Sequence, residues 1–86
     1  MKQFQYMISD PVGIHARPAG LLAKQAKALD STVAITKDYG KSAVATKLMA
    51  VMGLGIKSGA TITVTVEGGD EEANATILKT FFAKNL

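Results

Sequence analysis

The sequence predicts an α+β fold in which an antiparallel sheet is covered on one face by helices. Two observations carry this expectation. Thr61, Thr63 and Thr65 alternate with Ile62, Val64 and Val66, the period-two pattern of a strand with one buried and one wet face. Ala19, Leu22, Ala23, Ala26 and Leu29 recur at the spacing of an amphipathic helix. The remaining segments, read by the same rules, give the order β-α-β-β-α-β-α, two β-α-β units with right-handed crossovers.

The first strand is expected over Phe4 to Ile8, because Phe4, Tyr6 and Ile8 repeat every second residue. Asp10-Pro11-Val12-Gly13 breaks it with turn residues. The first helix follows over Ala16 to Leu29, with Pro18 in its first turn, where a missing amide costs no intrahelical bond. Asp30-Ser31 ends it. Val33 and Ile35 mark the second strand, Asp38-Tyr39-Gly40-Lys41 a hairpin-type turn, and Ser42 to Ala45 a short third strand. Thr46 to Gly53 is predicted as a short, Met-rich helix with Thr46 as its N-cap. Ser58-Gly59 turns the chain into the fourth strand, which Glu67-Gly68-Gly69 ends. Asp70 caps the last helix, with Glu71 and Glu72 in its first turn. Ala73, Ile77 and Phe81, reinforced by Leu78, form its expected apolar stripe, and Lys79 and Lys84 lie towards its negative end.

A length of 86 residues suits one domain, expected to span the whole chain. The absence of cysteine excludes a disulfide scaffold, a thiolate nucleophile and the usual zinc knuckles. With one histidine, a metal would rest on carboxylates, and none is expected. Met1 to Tyr6 lacks the apolar region of a signal peptide, and no apolar run approaches the ~20 residues of a membrane span. The expectation is a soluble cytoplasmic protein. The net charge of +3 suits acidic protein partners, anionic substrates or nucleic acid.

The segment that carries chemistry is Gly13-Ile14-His15-Ala16-Arg17-Pro18-Ala19. His15 is the only histidine, and it stands where a turn meets a helix start. A helix N-terminus offers unpaired amide protons and about half a positive charge, which favours an anion by roughly 0.3–1 kcal/mol. A phosphoryl group on the imidazole would place its charge over those amides. Arg17 can present a planar, permanently charged fork to the phosphate oxygens. Pro18 pre-sets the backbone of the first turn. A histidine at a helix start also reads as a plain surface or capping residue, and the residues alone leave both readings open.

The same stretch resembles the phosphorylation motif of the histidine-containing phosphocarrier family, HPr, of the bacterial sugar phosphotransferase system. Lys47-Leu48-Met49-Ala50-Val51-Met52-Gly53-Leu54-Gly55 resembles that family's second signature, and Glu67-Gly68-Gly69-Asp70-Glu71-Glu72-Ala73 its last turn and helix start. The likeness covers essentially the whole chain, with about one extra residue near the hairpin. It implies an open-faced β-sandwich: four antiparallel strands in order 1-4-2-3, with three helices on one face. It also implies a carrier, inactive as an enzyme alone and needing no cofactor. Enzyme I would phosphorylate Nδ1 of His15, and His15 would pass the group to the enzyme IIA domain of a sugar permease. By the same resemblance Arg17 partners the phosphate, and the backbone amides of Ala16 and Arg17 contribute. One departure stands out. Where Gram-positive members usually carry a kinase-regulated serine, this chain has Lys47, preceded by Thr46.

Arg17, Gly20, Lys24 and Lys27 share one face of the first helix, which reads either as a solvated basic face or as a rim that steers acidic partners to His15. Leu48, Met49 and Met52 read either as core or as an adaptable docking patch, with Val51 and Leu54 supplying the buried side. The family docks through this helix, so Met49 at least is expected to be partly exposed. Two other function classes stay open at this point: an HPr-like regulatory phosphorelay protein and a nucleic-acid-binding module. The second needs stacking aromatics on an open sheet face, where the best strand here offers threonines. The expected partners are thus Enzyme I and enzyme IIA domains, with no nucleic acid and no membrane, and the chain is expected to be a monomer.

Overall fold

Ile62, Val64 and Val66 are fully buried, and their strand lies in the interior of the sheet. The computed structural model describes residues 1–37 and 40–86. Among these the order is β1 (Lys2–Met7), α1 (Ala16–Lys27), β2 (Thr32–Thr36), β3 (Ser42–Val44), α2 (Leu48–Gly53), β4 (Thr61–Glu67) and α3 (Glu71–Asn85). The sheet is antiparallel with strand order β1-β4-β2-β3, as expected. Val64 stands between Phe4 of β1 and Ile35 of β2. Side chains alternate along a strand, so this register stacks the apolar residues on one face and Gln5, Thr63 and Thr36 on the other.

The helices cover the apolar face. α1 buries Pro18, Ala19, Leu22, Ala23 and Ala26. α3 seats Phe82 with its ring centroid 5.4 Å from Tyr6, 6.3 Å from Phe4 and 5.8 Å from Phe81. The Tyr6 hydroxyl, otherwise costly to bury, donates to the Phe82 carbonyl at 3.0 Å. Phe4 and Tyr6 therefore face the helices, not the open side of the sheet. α2 contributes Val51 to the core, and Leu54 and Ile56 follow it there. The opposite side of α2 is open: Met49 is 76% exposed, Leu48 is exposed and Met52 is partly buried against the core.

Several boundaries differ from expectation, each for a local reason. β1 starts earlier and ends at Met7, but Ile8 stays buried, its amide bonded to the Ala60 carbonyl at 2.8 Å. α1 stops at Lys27, because Ala28 and Leu29 donate to Gln25 and Ala26, three residues back, and so tighten the last turn. β3 ends at Val44, although the Ala45 amide still reaches the Val33 carbonyl at 2.8 Å. Asp38 and Tyr39 of the expected hairpin turn lie outside the described residues. Beside them, the Lys37 amide donates to the Lys41 carbonyl at 2.7 Å.

Two expectations are corrected. Thr46 is not the N-cap of α2. Lys47 is, in a non-helical conformation and without a side-chain cap, because its amide closes a turn onto Val44 at 2.9 Å while its carbonyl accepts from Val51 at 3.0 Å. The stripe of α3 is also rotated. Ala73 and Ile77 are exposed, whereas Asn74, Ala75, Leu78, Phe81 and Phe82 are buried. A polar anchor sets this phase: the Asn74 amide group donates to Asp30 at 2.6 Å and to Ser31 Oγ at 2.7 Å. The start of α3 is fixed in the same place. Asp70 accepts from the Ala73 amide at 3.2 Å, and Gly69 lies so close to Asp30 that an added Cβ would fall 2.3 Å from its carboxyl carbon.

The Asn74 side-chain bond, helped by the Asp70 amide, holds the Asp30 carboxyl below its ordinary value of 3.8. A carboxyl depressed in the folded state contributes stability that is present above the unfolded value and lost as pH falls through the folded one. Urea unfolding at a series of pH values should therefore show stability falling as pH drops below about 4, with a shallower fall in Asp30→Asn.

Candidate functional site

Between β1 and α1 the chain makes a turn whose bonds determine where His15 stands. The Asp10 carboxylate accepts the Val12 amide at 2.8 Å, and the Asp10 carbonyl accepts the Gly13 amide at 3.0 Å. Gly13 has φ +84° and is packed against the backbone after α2, where an added Cβ would lie 2.4 Å from the Ile56 carbonyl oxygen. The Ile14 amide donates to that oxygen at 3.0 Å, and the Ile14 side chain is buried. Buried Ile14 on one side and buried Pro18 and Ala19 on the other thus hold His15 at the surface between them.

His15 is the N-cap of α1. Its backbone is extended and its carbonyl takes the Ala19 amide at 2.9 Å, but its side chain makes no cap bond. The first-turn amides of Ala16 and Arg17 have no intrahelical partner by geometry, and Pro18 has no amide to satisfy. Two N–H groups at the positive pole of a twelve-residue helix are therefore left for an outside acceptor beside the imidazole. The ring is half exposed, with Nε2 4.0 Å from Asp10 Oδ1. Nδ1, bonded to the carbon that joins ring to main chain, is the nitrogen nearer the backbone.

A cleft of about 250 Å³ opens beside the ring, lined by Asp10, His15, Arg17, Pro18, Leu21, Lys84 and Asn85. The last turn of α3 is drawn to this place by one carbonyl: that of Leu86 accepts the Ser9 amide at 2.7 Å, the Asp10 amide at 2.8 Å and the Ser9 hydroxyl at 3.0 Å. Among the described residues neither Arg17 nor Lys84 belongs to an ion pair, so both cations are open to an anion in the cleft. Such a site can hold a tetrahedral anion on an imidazole: a guanidinium and an ammonium line the cleft with the ring, and two amides without intrahelical partners follow it in the first turn.

The expected site residues thus fall into three groups. His15 and Arg17 line the cleft, and Ala16 adjoins it as the first helical residue. Gly20, Lys24 and Lys27 run along the outer side of α1, Gly20 half-buried and both lysines exposed. Lys24 lines a neighbouring groove of about 310 Å³ with Leu21, Phe81 and Asn85. Leu48, Met49 and Met52 lie on α2, which packs beside α1, and none of the three lines the cleft. Sequence reasoning missed four lining residues: Asp10, Leu21, Lys84 and Asn85. The four-residue offset from Arg17 would have found Leu21, which is exposed over the same helix face.

The chain is similar to proteins of one family. The family model described as "PTS HPr component phosphorylation site" matches residues 2–84. The phosphocarrier protein HPr of Mycoplasma genitalium is 39% identical over 85 residues, covering 99% of this chain and 97% of that protein. A mycoplasma histidine-containing phosphocarrier protein of known structure superposes with a TM-score of 0.90 at 34% identity, covering 96% and 93% of the two chains. Crh, a Bacillus subtilis catabolite repression protein seen as a domain-swapped dimer, gives 0.76 at 29% identity over 100% and 98%.

Gly13 is the position where the turn has least latitude. Gly13→Ala should lower stability by about 1–3 kcal/mol in urea unfolding, as the cost of φ > 0 and of the clash with Ile56. It should also shift the His15 ring resonances in NMR spectra.

Proposed function

Because the chain belongs to the HPr family, the phosphocarriers of the phosphotransferase system, we propose that it carries its phosphoryl group on Nδ1 of His15. The observation that supports this most directly is the uncapped N-cap. The helix presents two free amides and Arg17 beside an imidazole that no cap bond occupies. In the transfer, the Nδ1 lone pair attacks phosphorus. The three phosphoryl oxygens then lie against the Ala16 and Arg17 amides and the Arg17 guanidinium. That is the requirement for a carrier: the group must be held against hydrolysis and released only to a partner.

The donor in this reading is Enzyme I and the acceptors are enzyme IIA domains of sugar permeases, in the cytoplasm, with the whole chain acting as one monomeric domain. Both partners must reach the same ring. They would dock on the exposed side of α1 through Gly20, Lys24 and Lys27, and on α2 through Leu48, Met49 and Met52. The lysines speed encounter with acidic surfaces, and the flexible thioether of Met49 fits more than one partner. Lys47 carries no hydroxyl, so the ATP-dependent seryl switch of Gram-positive relatives has no acceptor at that position.

The test uses phosphoenolpyruvate and Enzyme I. The wild-type chain should gain one acid-labile, base-stable phosphate and His15→Ala none. Arg17→Ala should be phosphorylated at least tenfold more slowly while remaining folded. Met49→Ala should raise the apparent KM for Enzyme I with little change in the maximal rate. A folded wild-type chain that takes no label would overturn the reading.

A further inference from the structure

We propose that Asp10 is a positioning residue for the phosphoryl transfer: its carboxylate holds a proton on Nε2 of His15 and so keeps the lone pair on Nδ1. The inference rests on the assignment of His15 as phosphoryl acceptor and concerns what makes one ring nitrogen the acceptor. Asp10 Oδ1 is 4.0 Å from Nε2, within reach of a hydrogen bond on a small rotation of the half-exposed ring. The carboxylate itself cannot swing freely, because the same oxygen accepts the Val12 amide at 2.8 Å and the Asp10 amide is tied to the Leu86 carbonyl at 2.8 Å. A negative charge at the mouth of an anion site otherwise opposes binding. Arg17 and Lys84, which line the same cleft, are cations enough for the phosphate, and Asp10 then serves the ring and not the anion.

The chemistry assigns the proton a definite role. In the resting state Nε2 carries the hydrogen and Nδ1 the lone pair, as a carboxylate facing Nε2 requires. Nδ1 attacks the phosphorus of the donor. The N–P bond forms as the donor–phosphorus bond breaks, and its electron pair leaves with the donor. The ring keeps its Nε2 proton and becomes a phosphorylated imidazolium, whose positive charge the Asp10 carboxylate compensates. When the acceptor's lone pair attacks phosphorus, the N–P electron pair returns to Nδ1 and the ring departs as neutral imidazole, with the same proton still on Nε2. Without that proton the leaving group would be an imidazolide anion. Asp10 thus supports both directions of the relay without exchanging a proton.

Asp10→Asn separates this role from the turn. An asparagine Oδ1 can still accept the Val12 amide, while its NH₂ group offers a donor to Nε2 and so favours the opposite tautomer. Long-range ¹H–¹⁵N NMR of the unphosphorylated protein should find the Nε2–H tautomer in the wild type and a shift towards Nδ1–H in the variant. Phosphorylation by phosphoenolpyruvate and Enzyme I should slow by roughly tenfold or more, in line with the loss of carboxylates that orient histidines elsewhere. Asp10→Ser, which keeps an acceptor for Val12 but has no charge, should fall between the two. If the wild type forms Nδ1-phosphohistidine and Asp10→Asn matches it in tautomer and rate, the role of Asp10 is refuted and that of His15 stands. If the wild type forms no phosphohistidine at all, the parent reading fails first.

Discussion

The two-faced character of β4 is the constraint from which the rest of the molecule follows. Three buried β-branched residues, Ile62, Val64 and Val66, alternate with three threonines, and strands pair on both edges. Burying each such side chain is favourable by about 1.5–3 kcal/mol. A one-residue slip would turn all three to water. The register of β4 against β1 and β2 therefore decides which face the helices must cover. Once α1 and α3 lie on that face, the start of one and the end of the other meet beside His15.

The site itself uses little of the core. His15 stays at the surface because its neighbours do not: Ile14, Pro18 and Ala19 are buried, and Gly13 is pressed against the Ile56 carbonyl. The place of the imidazole is thus set by packing of the main chain on either side. This division leaves the ring half exposed while keeping the helix amides in place. The same economy is seen on α2, where Val51 anchors a helix whose outer side is free to present Met49.

How much of this could be read from the sequence depended on distance along the chain. His15, Arg17 and the first-turn proline are contiguous, so their joint position at a helix start was legible from the motif alone. The strands were legible because their patterns are local. The phase of α3 was not: Asn74 looks like a surface residue until Asp30 and Ser31, more than forty positions earlier, are placed beside it. Ala73 and Ile77 seemed the better stripe for that reason. The start of α2 was misplaced because a threonine before a helix is a common cap, while the turn from Val44 to Lys47 depends on backbone bonds with no side-chain signature. Lys84 and Asn85 join the site only through the grip of the Leu86 carbonyl on Ser9 and Asp10, a tertiary contact that no local pattern announces.

The placement of β1 next to β4, and not next to β2, has a consequence for synthesis. Among the described residues β1 pairs with β4 alone, so it is made before the strand it joins, residues 61–67. The turn that carries His15 leans on Ile56, made shortly before β4, and on Leu86, made after it. Such long-range pairings make folding slow relative to helical proteins of the same size. Until Leu86 has been made, the nascent polypeptide holds His15 on a segment that lacks this support.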